Sequence, residues 1–223
     1  MNRLETIVEL ASKAKTVADI GCDHGKVGLY LFKNGNLKRL IATDISPKCL
    51  QKSNDLFKDK SYDYEGRVGD GLIPIKNNEV DTIILAGMGG ELIRDILLND
   101  IEKTNSFNEF IVCPHTSPDL IRKTFCELNY NRVKDIIVRE DDKYYFIMKY
   151  VKSDKDDLIQ NEDDYLYPNS LKLQNPILFC EYIEHELEVK RTILEKIEDI
   201  GTDRTMASAK KIIDEIKYLE ELC

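Results

Sequence analysis

Five times between residues 16 and 118 a short apolar run closes on a turn of glycine, aspartate or proline, and a helical pattern follows. The first instance is the clearest. Val17, Ala18 and Ile20 suit a buried parallel strand, the run closes on Gly21 and Gly25, and an apolar, helix-capable stretch occupies residues 27–32. A glycine turn between strand and helix is how an open α/β sheet builds a ligand crevice at the carboxyl edge of a strand. It lets backbone approach a ligand and offers helix N–H groups to an anionic one.

The other four instances follow the same grammar. Residues 40–43 end on Asp44, after which Ser46 and Pro47 are placed as N-cap and first residue of a helix reaching about Lys58. A short strand near Arg67 and Val68 leads into Gly69-Asp70-Gly71. Residues 80–86 end in Gly87-Met88-Gly89-Gly90, before a helix over 91–99. Residues 110–113 end in Pro114-His115, and Ser117-Pro118 opens a helix to about Asn129. Ahead of the series, Leu4, Ile7, Val8 and Ala11 fall on one side of a helix over 3–15. The helix after the first strand is expected to stop near Asn34-Gly35. After the series, residues 133–139 and 144–151, separated by Glu140-Asp141-Asp142-Lys143, read as a β-hairpin.

At 223 residues the chain accommodates one α/β domain and an appendage. Its net charge of −9 argues against a uniformly basic nucleic-acid binder, but the acidity is uneven. Residues 1–150 carry 22 basic against 23 acidic side chains, whereas residues 151–223 carry 10 against 18. The first domain therefore retains the means to present a local basic face. The N-terminal residues lack the pattern of a signal peptide, and no apolar run approaches the ~20 residues of a membrane span. The six cysteines are scattered without a Cys-x-x-Cys pair, which favours free thiols in a reducing cytoplasm over a zinc site or a disulfide framework.

The tail has a separate organisation. An acidic linker over 153–169 divides a first domain, 1–152, from a helical hairpin, 170–223. In the hairpin, Cys180, Ile183, Leu187, Leu194 and Ile197 make one apolar seam, interrupted by Lys190. After the turn Gly201-Thr202-Asp203, residues Met206, Ala209, Ile213 and Ile216 make the other. A structural lid, a dimer contact and an RNA-gripping arm are all compatible with it.

Five strand–helix units followed by an antiparallel hairpin depart from a dinucleotide-binding domain, which continues with further parallel strands. The arrangement resembles the Rossmann-like class I S-adenosylmethionine-dependent methyltransferase fold. Asp19-x-Gly21-x-x-x-Gly25 stands where a dinucleotide fingerprint would be. Asp44 is placed to accept the two ribose hydroxyls, and Asp70 the adenine amino group. The fuller set is more specific: Arg3-Leu4, Val17-Ala18-Asp19-Ile20-Gly21-x-Asp23-His24, Gly69-Asp70-Gly71-Leu72, Ala86-Gly87-Met88-Gly89-Gly90 and Glu140-Asp141-x-Lys143-x-Tyr145. With the helical tail, these resemble bacterial tRNA adenine-N1 methyltransferases that modify adenine 22. Three positions depart from that family: Cys113-Pro114-His115 for Gln-Pro-Asn, Asp44 where glutamate is usual, and Asn169-Ser170 for Gly-Pro.

The resemblance implies S-adenosylmethionine as cofactor and tRNA as partner; the residues themselves indicate a cytoplasmic protein with neither metal nor membrane, and a monomer is the expectation left to test. The resemblance implies cofactor contacts from Arg3, Asp19, Gly21, Asp23, His24, Asp44, Ile45, Asp70, Gly71, Gly87 and Met88. Position at the turns along one sheet edge, rather than the resemblance, nominates Asp23, Met88 and His115 for methyl transfer. Independently of the family, methylation of adenine N1 uses a lone pair that is already available, so catalysis reduces to positioning and electrostatics. The glycines of residues 87–90 would admit a base beside Met88, although they equally permit a tight strand-to-helix turn. His24 reads equally as a satisfied buried histidine, and Arg3 as a solvated one. Two other functions fit the pattern: a methyltransferase of another RNA or a small molecule, and an inactive cofactor-binding RNA-interaction protein.

Overall fold

The computed structural model describes residues 2–34, 36–153, 162–198 and 203–223. The chain divides into two compact units at Pro168/Asn169. The first begins with α1 (Arg3–Leu10), β1 (Thr16–Ile20), α2 (Lys26–Asn34), β2 (Arg39–Asp44), α3 (Pro47–Phe57) and β3 (Asp63–Val68). It continues with β4 (Thr82–Ala86), α4 (Gly90–Asn99), α5 (Ile101–Thr104), β5 (Glu109–Cys113) and α6 (Pro118–Glu127). The hairpin β6 (Tyr130–Glu140) and β7 (Lys143–Lys152) and a short α7 (Glu162–Leu166) complete it.

The seven strands form one sheet in the order β3-β2-β1-β4-β5-β7-β6. The first five are parallel, and β7 runs antiparallel to both β5 and β6. The four central parallel strands are buried almost throughout because helices cover both faces: Val17, Leu40, Ile84 and Ile111 are completely buried. Each such side chain contributes about 1.5–3 kcal/mol of burial free energy. Chain direction across the sheet reverses between β1 and β4. The connections leaving these two strands therefore diverge and open a crevice at their carboxyl ends.

Local chemistry accounts for most element ends. Ser46 caps α3 by accepting a hydrogen bond from Cys49 N, with Pro47 in the first turn. Asn2 and Glu5 form a capping box on α1. That helix stops at Leu10, short of the expected residue 15, because the chain turns through the buried Ala11 and Ala14 to enter β1. Ser117 occupies the N-cap position of α6 but makes no capping hydrogen bond with its side chain. It sits at φ 52°, and its hydroxyl donates to Glu91 Oε1 at 2.8 Å. The hairpin closes on Asp141 and Asp142, both with positive φ, the backbone that a tight two-residue hairpin turn requires. The Gly35 stop lies outside the described residues.

Two buried charges hold the hairpin side of the sheet. Arg122 on α6 and Asp135 on β6 are each 1% exposed, with Nε donating to Oδ2 at 2.7 Å and Nη2 to Oδ1 at 3.3 Å. Arg122 Nη1 also donates to the carbonyls of Tyr165 and Leu166, so the helical end of the acidic stretch is hydrogen-bonded to α6. Residues 154–161 of that stretch lie outside the described part.

The second unit comprises α8 (Asn169–Gln174), α9 (Pro176–Glu198) and α10 (Asp203–Leu222). Cys180 meets Cys223 and, ten residues on, Lys190 pairs with Glu215 at 2.6 Å, so α9 and α10 run antiparallel as the two seams imply; Arg191 adds a pair with Glu220 at 2.7 Å. Lys190, the break in the first seam, is thus neutralised from the opposite helix. The second seam runs through Ala209, Ile212, Ile216 and Leu219; Ile213 is 37% exposed. The Met206 side chain and the turn residues Gly201 and Thr202 lie outside the described residues. The cysteine expectation needs correction here: Cys180 and Cys223 form a disulfide, joined only when the helices pair, 43 residues apart in sequence. Cys22, Cys49, Cys113 and Cys126 form no disulfide among the described residues.

Candidate active site

A cavity of about 480 Å³ opens at the carboxyl ends of β1 and β4. The turn after β1 supplies Gly21, Cys22, Asp23 and His24, with Asp19 at its base. Gly21 has φ +70°, and the Met88 side chain lies over it, with Sδ 3.4 Å from where a Cβ would stand. Gly87 has φ +84°, and only His115 Nε2, at 3.9 Å, approaches its Cβ position. Both turns thus need a conformation that L side chains rarely adopt. The loop carrying Met88 is pinned to the end of β5, where His115 N donates to the Met88 carbonyl at 2.8 Å.

The hairpin contributes the opposite wall. Val112 pairs with Met148, so the antiparallel β7 carries Tyr145 past the end of β5 to His115. The two rings meet edge-on, with centroids 6.2 Å apart. Arg3, reaching in from α1, stacks its guanidinium 4.7 Å from the Tyr145 centroid. Its Nη1 lies 3.4 Å from His115 Nε2 and its Nε 3.9 Å from Glu140. A guanidinium only donates, so His115 Nε2 is the acceptor and the ring is neutral. Burial, then Arg3 and Lys143, hold the His115 pKa below its ordinary value, in agreement.

Asp19 is the electrostatic anomaly. It is 3% exposed, and its Oδ2 is buried without a hydrogen-bond partner among the described residues. Burial, and secondarily the neighbouring Asp44, push its pKa up to about 7. Asp44 is differently placed: Oδ2 accepts from Asp23 N at 3.2 Å and Oδ1 from Ser46 N at 2.8 Å. One backbone donor per oxygen leaves lone pairs for a ligand hydroxyl. Burial pushes the thiols of Cys22 and Cys113 up to about 12, so neither is a thiolate nucleophile near neutral pH.

Arg3, Asp19, Gly21, Asp23, His24, Gly87 and His115 thus line one cavity. Met88 covers Gly21, and Asp44 lies beneath Asp23. Ile45 projects to solvent, 69% exposed. Asp70 and Gly71 line a separate recess of about 330 Å³ beside α4, with Leu92 and Ile96. His24 is not a buried histidine: its Nε2 accepts from Lys52 Nζ at 3.0 Å, near the surface. Tyr145, Leu4 and Lys26 line the main cavity without having been assigned to it from the sequence. Tyr145 belongs to a recognisable motif, but only the strand order shows that it meets His115. Among the described residues no metal-binding cluster occurs, and no helix is long and apolar enough to cross a membrane.

A family model described as a methyltransferase domain matches residues 1–148, the part of the chain that builds this sheet and cavity. The chain belongs to this methyltransferase family. Across 99% of its length the methyltransferase is 28% identical to tRNA (adenine(22)-N(1))-methyltransferase of Bacillus subtilis (strain 168), covering 95% of that protein. It is similar to the crystal structure of the B. subtilis M1A22 tRNA methyltransferase TrmK, with a TM-score of 0.84 and 28% identity over 99% of this chain and 97% of that one. It is also similar to M. capricolum TrmK in complex with S-adenosyl-homocysteine, with a TM-score of 0.81 and 25% identity over 99% and 96% of the two chains. These matches extend through the helical tail, beyond the family model.

Proposed function

We propose that this methyltransferase transfers a methyl group from S-adenosylmethionine to N1 of an adenine in tRNA, the adenine at position 22. The observation that carries the reading is the cavity at the β1/β4 reversal, which combines a buried, unpartnered carboxylate with two open glycine turns. The relatives and solved structures alike along the whole chain, one of them holding the demethylated cofactor, support it.

The residues fit that cofactor. The orphaned Asp19 Oδ2 calls for a cationic or hydrogen-bonding partner such as an amino-acid ammonium, and Asp44 keeps acceptor capacity for ribose hydroxyls. Bound there, S-adenosylmethionine supplies an electrophilic methyl group on a sulfonium. The chain then has to orient the base and tolerate positive charge growing on it, since N1 attacks through a free lone pair. Neutral His115 adds no repelling charge at the base side of the cavity, and the exposed carboxylate of Asp23 at its mouth favours a cationic ring. Arg3, anchored on Tyr145 and His115, holds that wall in place. Raised thiol pKa values at Cys22 and Cys113 suit direct transfer without a cysteine intermediate. A tRNA substrate places the enzyme in the cytoplasm.

The test is incubation of the full chain with unmodified, transcribed tRNA and methyl-labelled S-adenosylmethionine, followed by nucleoside analysis and mapping. The label is expected in 1-methyladenosine at position 22. Label in another nucleoside would assign a different RNA reaction. Cofactor binding without RNA methylation would point to a small-molecule substrate or a non-catalytic binding protein.

A further inference from the structure

Outside the cavity a second groove of about 700 Å³ runs along the surface beside α2 and α3. Its walls include Lys26, Leu29 and Tyr30 from α2 and Lys52 and Leu56 from α3, and it shares Leu4, His24 and Lys26 with the cavity. The two spaces are therefore continuous at the turn after β1. None of this was legible as a motif, because the groove's residues come from separate helices brought side by side by the sheet.

The surface is unusual for a chain of net charge −9. Lys26 and Tyr30 are one helical turn apart on α2, and Lys48 and Lys52 one turn apart on α3. All four are exposed. Tyr30 is 40% exposed and lines the groove together with the apolar Leu29 and Leu56. The Lys52 ammonium is held at the junction of groove and cavity by His24, not by a carboxylate. Glu140 is the acidic wall residue, and it faces Arg3 at 3.9 Å. An exposed aromatic face between cations is the surface that binds single-stranded nucleic acid: the ring stacks on a base and the ammonium groups take phosphates.

We propose that this groove binds the RNA nucleotides adjoining the target adenine, with a base stacked on Tyr30 and backbone phosphates on Lys26 and Lys52. The inference rests on the tRNA-methylating reading and adds to it a direction in which the strand leaves the cavity. A base turned into the cavity must leave its neighbours at the rim, and the rim at His24 and Lys26 opens onto this groove.

The experiment uses the full chain and three variants: Tyr30→Ala, Tyr30→Phe and Lys52→Gln. Binding of transcribed tRNA is measured by filter retention over a salt series, cofactor affinity by calorimetry, and methyl transfer as KM and kcat. Loss of the stacked ring in Tyr30→Ala should weaken tRNA binding about tenfold and raise the RNA KM in step. Tyr30→Phe, which keeps the ring, should restore it. Lys52→Gln should make the slope of log affinity against log salt shallower by about one phosphate contact. Cofactor affinity should stay within twofold throughout. Wild-type tRNA affinity and salt slope in both Tyr30→Ala and Lys52→Gln, with the wild type methylating tRNA, would overturn the groove and leave the proposed function standing. A wild-type chain that neither binds nor methylates tRNA would remove the functional reading, and the groove with it.

Discussion

Asp19→Asn separates the charge of the buried carboxylate from its shape. In the native protein the Asp19 pKa is raised from 3.8 to about 7, by burial and then by Asp44. At 1.36 kcal/mol per unit, holding Asp19 ionised above pH 7 costs the ligand-free fold about 4 kcal/mol. The sign follows from proton counting. Between about pH 4 and 7 the native state keeps a proton that the unfolded chain has lost, so this contribution is fully present below pH 4. It is lost as pH rises to 7, and beyond that the loss is constant. Asparagine does not titrate, so the stability difference between variant and wild type isolates this one group. The variant should gain on the wild type by about 1.4 kcal/mol per pH unit across pH 4–7, less a constant penalty of about 1–3 kcal/mol for its own poorly partnered amide. Urea unfolding at pH 4.5, 5.5, 6.5 and 7.5 reads this directly. Calorimetry in buffers of different ionisation enthalpy supplies the second half. At pH 6 the binding of S-adenosylmethionine should release close to one proton in the wild type and none in the variant. Parallel stability curves for the two proteins between pH 4.5 and 7.5 would refute the assignment of a strained, titrating Asp19. Proton release unchanged by the substitution would refute its role at the cofactor ammonium.

Three further outcomes are expected. Asp44→Ala should weaken S-adenosylmethionine by roughly 1–3 kcal/mol in calorimetric titration and should also loosen the turn, since Asp23 N and Ser46 N lose their acceptor. Arg122→Met should destabilise the first unit by about 3–5 kcal/mol in urea because it leaves the buried Asp135 with Arg132 alone, at 3.4 Å, and Arg122→Met with Asp135→Leu should recover part of that loss. His115→Ala should lower methyl transfer with cofactor affinity nearly unchanged. The wild-type rate should fall as pH drops below the ordinary histidine range, where protonation of His115 ends its acceptance from Arg3, and a His115→Asn variant should lose that acid limb.

Residues that act through their immediate neighbours were legible in the sequence. Four of the five expected strand–turn–helix units, the Ser46-Pro47 helix start and the Asp141-Asp142 turn follow from short-range sterics, periodicity and local hydrogen bonds; the remaining one is corrected, since β3 leads to β4 through turns without a helix. These fix the fold class and the place where chemistry must gather, because an open parallel sheet has its crevice where strand order reverses. Asp19, Gly21, Asp23, His24, Gly87 and His115 were therefore identifiable from strand ends and motif, before any contact was known. Tertiary structure decided their states and partners. Asp19 is perturbed because the sheet buries it beside Asp44, whereas Asp70, two strands away from β1, faces a different recess. Arg3 reaches His115 across 112 residues of sequence, and Arg122 buries its charge only because β6 brings Asp135 to it. Cys180 and Cys223 become a pair only when α9 and α10 align. Local pattern sets which face of an element is apolar, but the free energy of a charge or a thiol depends on what stands opposite it. Only the packed chain supplies that neighbour.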